Sequence, residues 1–95
     1  RVGGITLYPF IIIRPEYNNK VTIHHEKIHI EQQKELLVVF FYFLYVYYWL
    51  KGKIKGLTNG DAYMSIPFEK EAYENERNFS YLETRKKQSW KNYIN

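Results

Sequence analysis

The chain has 95 residues, room for one domain and no more. It has no cysteine, which excludes disulfides, cysteine-based zinc or iron–sulfur sites and thiol catalysis, so any bound metal must rest on His, Asp or Glu. The 14 Lys+Arg against 10 Asp+Glu, a net charge of +4, permit an anionic partner without arguing for one, and aromatics at 19% give a short chain large areas to bury.

The sequence opens at Arg1 instead of Met, as a piece of a longer protein would. Its first apolar stretch contains Pro9 and ends at Arg14 and Pro15, unlike a signal peptide. Ile5 to Ile13 is β-branched and aromatic and reads as strand; Pro9 lacks an amide donor, so an edge position or a bulge is expected. Arg14 to Lys20 reads as a loop with a turn at Asn18-Asn19. A helix is expected from Thr22, as N-cap, through HHEKIHIEQQKELL. From Leu36 to Leu50 every residue is apolar or aromatic; this block continues the helix or forms a second one after a bend. Lys51 to Gly56 ends it, and Leu57 to Met64 reads as loop. A last helix opens at Pro67, suited to a first helical position, and runs through FEKEAYENERNFSYLETRK. Glu69, Glu71, Glu74 and Glu76 come early in it and Arg85, Lys86 and Lys87 late, which complements its dipole. Gln88 to Asn95 is expected to fray. The expected fold is mainly α (α+β), one small domain over residues 1–95: helices with a short N-terminal edge strand or hairpin.

His25-Glu26-Lys27-Ile28-His29 is an HExxH pattern on the first predicted helix. Positions four apart on a helix differ by about 40°, so both imidazoles point the same way and can share one zinc ion. Glu26 lies about 60° round from His29, beside such an ion but not on it, where a carboxylate can act as general base. Gln32 and Leu36 continue the same stripe, so this face points inward. The short pattern also arises by chance on solvated helices, and a third ligand would add weight to it. No histidine follows His29, so the candidates for a third ligand are carboxylates. On the last helix Phe68, Ala72 and Phe79 mark an apolar face that Glu69 and Glu71 flank on opposite sides. Ala72 is closer in angle to Glu69 and would let two helices approach, which favours Glu69 over Glu71, with Glu76 third. An acidic, solvated first turn is the plain alternative for all three.

HExxH followed by a later helix with a glutamate resembles the gluzincin metallopeptidases, whose integral-membrane branch carries ExxA(D); here that motif reads Glu69-Lys70-Glu71-Ala72-Tyr73. The compact length is similar to that of the minigluzincins. The run from HEKIHIEQQKELL through the aromatic block to IPFEKEAYENE is similar to small bacterial proteins of the metallopeptidase class. The resemblance implies zinc on His25, His29 and Glu69, Glu26 as base, and a peptide or protein substrate. It implies that the N-terminal strand is an edge on which an extended substrate pairs. Tyr73 departs from the family's Asp, which supports a zinc-binding histidine; Glu74 or Glu76 is the expected substitute.

His24 lies off the His25/His29 face and reads as a surface or capping residue, and Gln32-Gln33 by default as helix-surface polar residues. Several tyrosines or Arg77 are candidates to stabilise an oxyanion. The Leu36–Leu50 block is about 22 Å long as a helix, short for a membrane span, yet apolar on every side. It is expected to be covered by a second copy, a larger assembly or a membrane surface, with Lys51, Lys53 and Lys55 at the boundary. The location stays open, with the cytoplasm or a peripheral or integral membrane position expected. Arg85, Lys86, Lys87, Trp90, Lys91 and Tyr93 mix cations with aromatics, but a solvated basic tail explains them better than nucleic-acid binding.

Overall fold

In the computed structural model, which describes residues 4–94, the N-terminal segment is an antiparallel hairpin of β1 (Gly4–Leu7) and β2 (Phe10–Ile13). Tyr8 and Pro9 form the turn, so the single stretch Ile5–Ile13 divides at the proline, which cannot donate to a ladder. Ile5 pairs with Ile12 and Leu7 with Phe10. Arg1 and Asn95 lie outside the described residues.

A short 3-10 turn at Pro15–Tyr17 leads into α1 (Lys20–Leu36). Its N-cap is Asn19, whose side chain accepts from the Thr22 amide at 2.9 Å, so the helix starts earlier than a Thr22 cap would place it. α1 stops at Leu37, which adopts φ 63°. There the chain turns by 109° into α2 (Val38–Ile54), so the aromatic block is a second helix after a bend. α2 continues past Lys51 to Ile54 and ends at Gly56, whose φ of 91° favours glycine. Gly52 sits inside α2 because a Cβ there would meet Ser65 Oγ at 2.9 Å and Ala62 Cα at 3.1 Å. The expected loop at Leu57–Met64 contains a short helix, α3 (Asn59–Met64), capped by Thr58, whose side chain accepts from the Asp61 amide.

The expected long last helix is two. α4 (Pro67–Asn75) ends where Asn75 turns its side chain back to Glu71 O and to the Tyr93 hydroxyl. The following stretch is rich in Asn and Ser, side chains that compete with helical backbone bonds. α5 (Tyr81–Thr84) is a separate, short helix after it. Phe79, expected on the apolar face, is exposed. The tail does not fray through Tyr93: Ser89–Tyr93 forms a 3-10 turn that packs on α4, and Trp90 is buried with its ring 4.7 Å from that of Phe68. Phe41, Ile66, Phe68 and Trp90 make the apolar core, with α1, α4 and the hairpin packed around the polar site beside it.

Candidate metal centre

α1 and α4 pack against each other, and Ala72 of α4 is fully buried. His25 and His29 project from one face of α1, as their spacing requires, and Glu69 from the first turn of α4 meets both. Glu69 Oε1 lies 3.1 Å from His25 Nε2 and 3.1 Å from His29 Nε2. The three ligand atoms all lie within 4.8 Å of one another, and the three residues are buried. They form a group able to hold a metal ion.

The tautomers make this a donor set for a cation. Gln32 Nε2 donates to Phe68 O at 3.1 Å and Glu71 Oε1 at 2.8 Å, which turns its Oε1 toward His29 Nδ1, 2.7 Å away. An amide oxygen only accepts, so Nδ1 carries the proton and Nε2 carries a lone pair. Glu76 Oε1 does the same for His25 Nδ1 at 2.7 Å. Two imidazole lone pairs and a carboxylate oxygen thus face one another in a buried site, an arrangement that calls for a proton or a metal between them. Ligand atoms about 2.0–2.1 Å from tetrahedral zinc stand about 3.3 Å apart, close to the 3.1 Å from Glu69 Oε1 to each histidine nitrogen. Burial opposes charge on His25, but hydrogen bonds and charges from Glu69 and Glu76, with Glu26 nearby, outweigh it and hold its pKa above the usual 6.5. Tyr45 donates to the other Glu69 oxygen at 2.7 Å and fixes the carboxylate.

Glu26 is 3% exposed and accepts from the Thr6 hydroxyl on β1 through Oε1. β1 is held in turn by α1 and α2. Gln33 Nε2 donates to Thr6 O at 2.8 Å, Gln33 Oε1 accepts from Tyr8 N at 2.7 Å, and the Tyr42 hydroxyl donates to Thr6 O at 2.6 Å. Gln33 therefore caps β1 as a neighbouring strand would.

The other sequence candidates have different places. Glu71 is buried but points away from the histidine nitrogens, into bonds with Gln32, Tyr81 and Arg85. Glu76 Oε1 lies 2.7 Å from His25 Nδ1, and the Tyr73 ring stands edge-on to His25 at 4.5 Å. Glu74 and Arg77 are exposed. His24 is buried, not at the surface: its Nδ1 lies 3.0 Å from Glu76 O and its ring meets Phe79 edge-on. Gln32 and Gln33 are buried too, contrary to their surface reading. Their sequence signal was weak; Gln32 sits on the His25/His29 stripe, the one cue available.

A cleft of about 780 Å³ is linked to the metal group through Tyr45, which lines it and bonds Glu69; none of the three ligand residues lines it. It is lined by the hairpin, Tyr45, Val46, Trp49 and Tyr63. The Tyr63 hydroxyl shares a 3.1 Å hydrogen bond with Tyr73. Burial, then the charge of Glu69, hold the Tyr63 pKa above its ordinary value, so it remains a protonated donor.

Gln32→Leu should weaken metal binding about 10–100-fold, because His29 loses the acceptor that sets its tautomer. Isothermal titration with zinc measures it; an unchanged affinity would show that Gln32 does not orient His29. No protein-family model, curated protein or solved structure matches the chain.

Proposed function

We propose that the protein is a zinc-dependent peptide hydrolase of the gluzincin kind. The observation that carries this reading is the convergence of the His25 and His29 Nε2 lone pairs on Glu69 Oε1, with the Glu26 carboxylate on the same helix. Bound zinc would supply Lewis acidity at this point, polarising a carbonyl and making water acidic. Glu26, oriented by Thr6, takes the proton of a water molecule as that water attacks the peptide carbonyl carbon. It delivers the proton to the amine nitrogen as the C–N bond breaks, so acid and amine leave and Glu26 is restored. Tyr63, protonated and facing the cleft, is the available donor to the carbonyl oxygen as it gains charge. Gln33 caps β1, which leaves β2 as the strand with an outer edge for an extended peptide.

Zinc content is the direct test. Wild-type protein should hold about one zinc per chain after dialysis, and Glu69→Ala should weaken binding tenfold or more. Zinc-free protein under metal-replete conditions would overturn the reading. A second reading, a non-catalytic subunit on the same scaffold, is favoured by the large apolar face of α2; it predicts zinc binding without cleavage of any member of a broad peptide library.

A further inference from the structure

We propose that the outward faces of α2 and the β-hairpin form one docking surface that seats the protein on an anionic lipid bilayer. α2 has two unlike sides. Phe41, Tyr45, Tyr48 and Gly52 face the protein. Val39, Phe43, Val46, Tyr47, Leu50 and Ile54 face out, at the spacing of one helical stripe, with Phe43 70% and Ile54 86% exposed. The hairpin repeats the pattern. Ile5, Leu7, Phe10 and Ile12 are the members of two directly opposed pairs on one side of the sheet, and all four are exposed, whereas Thr6 on the other side is buried against α1. The two faces are continuous, because Ile5 and Ile12 line the same cleft as Val46 and Trp49.

Charge along α2 has one sign. The hairpin carries no ionisable side chain from Gly4 to Phe10 other than Tyr8, and no acidic residue lies between Glu35 and Asp61. At about 100° per residue, Lys51 and Lys53 fall about 80° to either side of the outward stripe, on its two shoulders. Lys53 extends over the Trp49 ring at 6.0 Å, Lys55 follows at the helix end, and Arg14 lines the cleft. An apolar stripe with lysines on both shoulders suits a helix lying in the headgroup plane, its apolar side buried and its ammonium groups among anionic phosphates. The inner side of α2 is packed on the core, so the helix lies flat; among the described residues no single helix is long and apolar enough to cross a membrane. A second copy of the chain would bring the same cations and no acidic complement to the contact.

The test is flotation of the full chain with vesicles of phosphatidylglycerol and phosphatidylcholine, against phosphatidylcholine alone. Binding to the anionic vesicles is expected, falling at high salt and weakened on the order of a hundredfold in the triple variant Lys51→Glu/Lys53→Glu/Lys55→Glu. Phe10→Ser/Phe43→Ser, at exposed positions, should also lower binding with an unchanged circular dichroism spectrum. Failure to float with either vesicle would overturn the proposal, as would equal binding to both. A dimer in light scattering that ignores vesicles and is split by Phe43→Ser would assign the surface to a second copy instead. None of these readouts depends on zinc or on peptide cleavage, so the metal reading can fail without affecting them.

Discussion

Glu26→Gln is expected to abolish peptide cleavage while the protein keeps its zinc and its fold. The substitution is nearly isosteric, and the Thr6 hydroxyl that donates to Oε1 can donate equally to an amide oxygen. What is lost is basicity: an amide cannot take a proton from water or return one to a leaving amine. General-base catalysis contributes about 10²–10⁴-fold, so kcat should fall by at least two orders of magnitude. The ligand set of His25, His29 and Glu69 is untouched, so zinc content by atomic absorption should match wild type. Cleavage that survives would assign the base elsewhere. Loss of zinc would mean that Glu26 belongs to the ligand set.

The metal group was legible because its strongest signal is local. The i, i+4 spacing of His25 and His29 fixes their common direction whatever the rest of the chain does. Glu69 was reachable because Ala72 marks the place where α4 approaches another helix. The mainly helical fold with a short N-terminal strand or hairpin was legible for the same reason, since β-branched and aromatic richness and the punctuation of Gly and Pro act over a few positions. The supports of the site were not. Gln32, Gln33 and Glu76 look like ordinary polar residues until α4 and β1 are placed against α1, because all their partners except His29, bonded by Gln32, lie 25–52 residues away. The break at Asn75 escaped for a related reason: with no Gly or Pro between Pro67 and Lys87, local propensity favours one long helix. Burial of Trp90 on Phe68 and of Arg85 against two carboxylates stabilises the folded-back arrangement instead.

Arg85→Ala should be among the most destabilising single changes in the protein. The sequence presents Arg85 as one cation of a solvated basic tail, but its side chain is 3% exposed and bridges two carboxylates from different helices. Its Nη1 and Nη2 donate to Glu35 of α1 at 2.7 and 3.2 Å, and Nε and Nη2 to Glu71 of α4. Burial opposes the charge, but the bonds to Glu71 and Glu35 outweigh it and raise the Arg85 pKa above its ordinary value. Removing the guanidinium leaves a fully buried Glu71 and a largely buried Glu35 without their countercharge. Breaking such a buried pair typically costs about 3–5 kcal/mol. Against a total stability on the order of 5–15 kcal/mol, that is a large fraction, and at about 4–8 °C per kcal/mol the Tm should fall by more than about 10 °C. Arg85→Lys should recover little, because one ammonium cannot reproduce two paired sets of bonds. Thermal unfolding followed by circular dichroism measures both, and a loss below about 1 kcal/mol would show that the network contributes little. The same network reaches the metal group, since Glu71 accepts from Gln32 and Gln32 orients His29. Glu71→Ala is therefore no neutral control for Glu69→Ala: it removes the partner of Arg85 and loosens Gln32 together. A weakened zinc affinity in that variant would report a disturbed support, and only Glu69→Ala tests a ligand.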